Sequence, residues 1–155
     1  MKAEYGPVPR DIMATTDGLD VLKAIQEGRL PAPPMAGLMG FELSEVEEGR
    51  VAFRATPTAD HYNPLGTVHG GYAATILDSS MGCAVHSTLK AGQGYTTLEF
   101  KVNLVRALTE ATGEVTAEGR IIHTGRRTAT AEGMLRDSEG RLCAHATTTC
   151  LILDL

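Results

Sequence analysis

Apolar and polar positions alternate most regularly in the second half of the chain. Between residues 113 and 123, Val115, Ala117, Gly119 and Ile121 are interleaved with Thr116, Glu118 and Arg120. That period of two gives a strand with one face on a core and one in water. The same reading predicts strands over 95–107, 113–123, 127–136 and 141–153, broken at Thr112-Gly113, Thr124-Gly125 and Ser138-Glu139-Gly140. Two more precede them. Residues 41–47 carry Phe41, Leu43 and Val46, residues 50–56 set Val51 and Phe53 on one face, and Glu48-Gly49 makes a tight hairpin turn between them. Residues 70–88 differ in kind. They lack Pro, are rich in Ala, Ile, Leu and Met, and predict one long helix, apolar on nearly all sides and therefore buried.

Shorter signals fill the rest. Leu19, Leu22, Ala24 and Ile25 recur at helical spacing, predicting a short helix over 17–28 with Asp17 as N-cap and Gly28 as stop. Pro31, Pro33 and Pro34 make residues 30–40 an extended connector, and residues 57–68 a loop. Residues 1–15, with Gly6, Pro7 and Pro9, are expected to be loosely ordered. Six strands need their apolar face covered, and one long helix is on offer. The economical answer is a single α+β domain over 1–155: a curved antiparallel sheet of about six strands wrapped around a central helix.

Composition narrows the function. A net charge of -5 argues against a nucleic-acid binder. Cys83, Cys143 and Cys150 lack CxxC spacing and sit in apolar runs, so they are expected as free thiols. The histidines have no metal-site spacing, so no metal is expected. No apolar h-region opens the chain and no apolar run nears the roughly 18 residues of a membrane span. With free thiols, this points to the cytoplasm.

Candidate chemistry concentrates between His61 and His86. Gly70-Gly71 opens the long helix, where the first amides lack intrahelical partners and lie at the positive end of the helix dipole. Without side chains, the pair admits a close approach by an oxyanion or polarised carbonyl. Asp78 is the only acid between Tyr62 and Leu89, a span without Lys or Arg. At about 100° per residue it shares a face with Gly71, Ala74, Thr75, Gly82 and Val85, all small, so a ligand or a second copy of the helix must come close there. Residue types alone leave Asp78 open between a structural carboxylate bonded to an amide or hydroxyl and a catalytic base or nucleophile. They leave His69 open between a helix cap and a catalytic group, and Asn63 before Pro64 reads as a turn residue.

The run Asn63-Pro64-x-Gly66-x-x-His69-Gly70-Gly71, followed by Asp78, resembles the PaaI-type acyl-CoA thioesterases of the hotdog superfamily. The resemblance extends to Tyr95-Thr96-Thr97-Leu98-Glu99-Phe100, to Gly119 through Arg127 and to Ala144-His145-Ala146-Thr147, covering roughly residues 18–153. It implies a hotdog fold and hydrolysis of an acyl- or aryl-CoA thioester to a carboxylic acid and CoA, with no cofactor beyond the substrate. It implies a homodimer at minimum and a homotetramer as the expected assembly, with sites at the subunit interface. The amide of Gly70, with Gly71 beside it, would polarise the carbonyl. Asp78 from the partner would be nucleophile or general base. Asn63 and His69 would orient the thioester or water, and Thr97, with Thr96 as the alternative, would place a hydroxyl near the acid. One of Arg126 and Arg127 would meet a CoA phosphate, for which Arg is suited; a solvated edge is the other reading of that pair. Arg106 is followed by Ala107 where the family often has Pro. Two other activities stay open. Hydratase relatives pair Asp with a later His, and Ser79 to Val85 contains none. The other is a non-catalytic acyl-CoA-binding module.

Overall fold

Helix α4 (Gly70–His86) lies across a six-stranded antiparallel sheet, β1 (Phe41–Glu47), β2 (Arg50–Ala55), β3 (Gln93–Leu104), β4 (Val115–Thr124), β5 (Thr128–Asp137) and β6 (Leu142–Asp154). This computed structural model describes residues 4–155. The strand order is β1-β2-β4-β5-β6-β3, so β1 and β3 are the edges. The predicted α+β architecture, one sheet around one long helix, is the observed one. Helix α4 packs on β2, β3, β4, β5 and β6, which together cup it.

Small residues let the helix sit close. Gly119 on β4 and Gly133 on β5 are register partners, with Ala146 next to Gly133 on β6. A Cβ on Gly119 would stand 2.3 Å from the Ser80 carbonyl oxygen, and one on Gly133 would stand 3.0 Å from Leu77 Cδ2. Over this row α4 buries Tyr72, Ile76, Leu77, Met81 and Val85 against Val51, Ala117 and Leu135. Such burial is the dominant favourable term in folding.

The helix is less enclosed than its composition predicts. Gly71 is exposed, and Ala74, Thr75, Asp78 and Ser79 are half-buried, whereas Gly82 and Val85 on the same face are covered. Asp78 is therefore not the fully buried acid expected from its neighbours. The stripe is open from the helix start to Asp78 and closed one turn later.

Three further expectations are corrected. Residues 10–15, expected to be loose, form helix α1 (Arg10–Thr15), with Pro9 at its N-cap position and Asp11 in its first turn. Residues 4–6 pair with the connector through Ala32 N to Glu4 O (2.9 Å) and Gly6 N to Ala32 O (3.0 Å); residues 1–3, also expected to be loose, lie outside the described residues. The connector itself holds helix α3 (Pro34–Met39). Proline is accepted at the first helical position because its missing N–H has no partner there in any case. Helix α2 (Gly18–Gln26) forms as predicted and Gly28 ends it at φ +73. Asp17 holds the N-cap position but does not cap. Its carboxylate accepts from Lys90 Nζ (3.0 Å) and the Ala91 amide (2.9 Å), tying α2 to the α4–β3 loop.

Register shifts interrupt four of the five strand pairings. In β3 the pairing passes from Thr97 to Glu99, leaving Leu98 as the extra residue and exposed. In β4 the extra residue is Ile122, also exposed. Bulges of this kind bend a strand and increase its twist.

Candidate active site

The loop before α4 is built around Asn63. Its amide donates to Thr67 O (2.7 Å), and its Oδ1 accepts from the Leu65 amide (2.9 Å), and its Nδ2 donates to Thr67 Oγ1 (3.0 Å). Gly66 supplies the left-handed residue, φ +82, that the tight loop needs. The Asn63 side chain is thus engaged in its own loop, as an Asx turn.

His69 is the N-cap of α4, and its Nδ1 accepts from the Gly71 amide at 2.9 Å. Gly71, expected to contribute to substrate binding, therefore has its amide occupied. A ring nitrogen accepting an N–H is unprotonated, so neutral His69 carries its proton on Nε2, on an exposed side chain. Gly70 is different. Among the described residues its amide has no partner. Its α-carbon lies against Leu104, whose Cδ1 would be 2.5 Å from any Cβ at that position. Asn63, His69, Gly70, Leu104, Arg106 and Leu108 line one cleft of about 300 Å³.

Asp78 lies elsewhere. It is eight residues, hence about 12 Å along the axis, from Gly70 on the same helix. Thr97 Oγ1 donates to Asp78 Oδ1 at 2.9 Å. Thr97, not Thr96, turns toward the helix; Thr96 is exposed. Two residues earlier on the same face of β3, Tyr95 covers Gly82, where a Cβ would stand 2.4 Å from the Tyr95 hydroxyl oxygen. Burial, then the neighbouring Cys83, Asp78 and Cys150, hold the Tyr95 phenol well above its usual range, so it stays protonated. Burial and the Asp78 charge push the Cys83 thiol up to about 12. A protonated thiol is a poor nucleophile.

Arg126 and Arg127 are both exposed in the turn between β4 and β5, not on a strand as the sequence pattern had Arg127. The carbonyl of Arg127 accepts from the Ile152 amide, and Ile152 pairs with Tyr95. The turn is therefore at the Asp78 end of the sheet, across β6 from β3. Within one chain the structure brings together Asn63, His69 and Gly70 at one place and Asp78 and Thr97 at another, with the arginines apart from both. Sequence reasoning missed Leu104 and Tyr95. A signal existed for Tyr95, which is two residues before Thr97 on a strand while Gly82 is four after Asp78 on a helix. Nothing in the sequence links Leu104 to Gly70.

Among the described residues, no group of three or more His, Cys, Asp or Glu side chains is arranged to hold a metal ion. Among the same residues, no helix is long and apolar enough to cross a membrane. Comparison with known proteins places these features in context. The model of the thioesterase superfamily matches residues 65–144. The proofreading thioesterase EntH of Klebsiella pneumoniae is 25% identical, the match covering 70% of this chain and 78% of that protein. Among solved structures, smu.793 from Streptococcus mutans, bound to acetyl CoA, is 26% identical with a TM-score of 0.68, over 74% of this chain and 90% of that one. The E. coli PaaI protein from the phenylacetic acid degradation operon matches in fold, with a TM-score of 0.76 over 88% of this chain and 94% of that one, at 18% identity.

Proposed function

Because the chain belongs to the thioesterase superfamily and has its hotdog fold, we propose that it hydrolyses an acyl- or aryl-CoA thioester to the carboxylic acid and free CoA. The observation that carries this reading is the Asp78–Thr97 pair. A carboxylate held by one hydroxyl at 2.9 Å, half-open to solvent on a stripe of small residues, retains lone pairs for a water or a carbonyl carbon.

The Gly70 amide supplies the complementary group, a backbone donor at a helix start where negative charge is favoured. A thioester carbonyl is far shorter than the roughly 12 Å between Gly70 and Asp78 of one helix. One carbonyl is then served by Gly70 of one subunit and Asp78 of a second, in a two-fold dimer carrying two such sites. Edge strand β3, with Leu98, Phe100 and Leu104 exposed, is the surface on which such a dimer closes. Two dimers packed together give the homotetramer that the family resemblance implies. In the reaction, Asp78 takes a proton from water as the oxygen adds to the carbonyl carbon. The Gly70 amide holds the resulting oxyanion, the C–S bond breaks, and the departing sulfur takes up a proton to give CoA. Direct attack by Asp78, through an acyl-enzyme anhydride that water then cleaves, uses the same groups. Exposed His69 Nε2 faces the entering substrate, and Arg126 or Arg127 pairs with CoA phosphates. The three unpaired cysteines fit work in a reducing cytoplasm.

The test is thiol release across a panel of CoA thioesters. Asp78→Asn is expected to lower kcat by at least about 10³-fold with the fold intact, in line with loss of an essential base. Turnover by Asp78→Asn at the parent rate refutes the assignment. Loss of the double bond of crotonyl-CoA without thiol release would make the activity a hydration. CoA binding with no turnover of any thioester would make the protein a binding module.

A further inference from the structure

The open stripe on α4 has a definite end. It runs from Gly71 past Ala74 and Thr75 to Asp78, and one turn beyond Asp78 it meets the ring of Tyr95 lying on Gly82. The closeness is specific to glycine. A Cβ at position 82 would stand 2.4, 2.7 and 2.8 Å from three atoms of the Tyr95 ring and hydroxyl. Tyr95 is backed by His86, with ring centroids 5.9 Å apart, and His86 is itself buried. The hydroxyl of Tyr95 makes no hydrogen bond among the described residues, so no polar partner explains why a tyrosine stands there. Alternation along β3 puts Tyr95 and Thr97 on the same face. The hydroxyl that orients the carboxylate and the ring that blocks the stripe thus belong to one rigid stretch of strand.

Resting on the thioesterase reading above, we infer that Tyr95 is the floor of the acyl-binding site and restricts this protein to compact acyl groups, short chains or a single ring. A carbonyl carbon at Asp78 leaves about one helical turn, roughly 5 to 6 Å, before the Tyr95–Gly82 contact. A long straight acyl chain would have to displace a ring packed against His86. With the ring removed, the space over Gly82 becomes continuous with the stripe. Tyr95 is a specificity-determining residue here; it moves no proton.

The experiment measures kcat and KM for straight-chain acyl-CoAs from two to sixteen carbons, and for benzoyl- and phenylacetyl-CoA, with the wild-type protein, Tyr95→Phe, Tyr95→Leu and Tyr95→Ala. Wild type should prefer members of up to about six carbons or one ring. Tyr95→Phe keeps the ring and should keep that order. Tyr95→Ala, or Tyr95→Leu if the alanine variant does not fold, should raise kcat/KM for acyl chains of ten or more carbons at least tenfold, mainly through KM. Asp78 and Thr97 are untouched in these variants, so the gain should appear as a rise in the ratio of kcat/KM for long over short chains. Wild-type preference for chains of twelve carbons or more, or an unchanged chain-length profile in both the leucine and alanine variants, overturns the floor role and leaves the thioesterase reading standing. No thiol release from any member by the wild type overturns both.

Discussion

Thr97→Val isolates one atom of the proposed site. Valine keeps the β-branched shape and the strand preference of threonine and removes only the hydroxyl. That hydroxyl donates to Asp78 Oδ1 at 2.9 Å in a half-buried setting. A hydrogen bond to a charged group is worth about 1.5–3 kcal/mol, and partial exposure favours the lower part of that range. At about 1.4 kcal/mol per tenfold, a loss of about 1.5–2 kcal/mol corresponds to a fall in kcat of about 10- to 30-fold. KM should change little, since the hydroxyl orients the carboxylate and does not hold the CoA. Steady-state thiol release gives both constants, and a thermal melt checks the fold. The decisive comparison is a double-mutant cycle with Asp78→Asn. In that background the hydroxyl faces an uncharged amide and Thr97→Val should cost less than about threefold. Unchanged kcat in Thr97→Val, or the same 10- to 30-fold loss in both backgrounds, would refute the reasoning, the latter because the hydroxyl would then act without Asp78.

Three other outcomes are expected. Gly119→Ala forces a Cβ to within 2.3 Å of Ser80 O and 2.6 Å of Met81 N; helix backbone cannot yield as a side chain can, so a loss of about 2–3 kcal/mol and a fall in Tm of about 5–10 °C should appear by calorimetry. Gly70→Ala meets only the Cδ1 end of Leu104, so stability should change by no more than about 1 kcal/mol, while crowding beside the free amide lowers kcat/KM by about 10²-fold, near the low end for loss of an oxyanion donor. Asp137 accepts from Arg141 Nε (2.7 Å) and from the amides of Glu139 and Arg141, and chiefly the Arg141 bond holds its carboxyl below the usual value of 3.8. A lowered folded pKa stabilises fully above the unfolded value and is lost as pH falls through the folded one. The Tm gap between wild type and Asp137→Asn should therefore be constant at neutral pH and shrink below about pH 4; a gap that widens in acid would contradict the assignment.

The strands, the long helix and the hairpin turn at Glu48-Gly49 were legible in the residues because each depends on contacts a few positions apart. A period of two, a Pro-free apolar run and a glycine at a turn state their conformations locally. Short elements were not legible. The same prolines that mark a connector are tolerated at a helix start, so α3 was hidden in its own punctuation. The Asp78 motif could be located from the sequence, but its surroundings could not. His69 caps Gly71, which leaves Gly70 as the free amide, and either histidine nitrogen or none is equally compatible with the sequence. Asp17 looks like a cap and instead reaches across 73 residues to Lys90. The Thr97–Asp78 bond, the Tyr95 ring over Gly82, the Leu104 methyl on Gly70 and the position of β3 at the sheet edge all join segments far apart in the chain. Such pairings follow from how the sheet closes around α4, which is decided by the packing of the whole core and not by any window of neighbouring residues. The sequence by itself determined the strands, the long helix and the spacing of Gly70 and Asp78 along it, because these are local; the tertiary structure decided which amide is free and which hydroxyl meets the Asp78 carboxylate, because those partners are distant in the chain or set by side-chain placement.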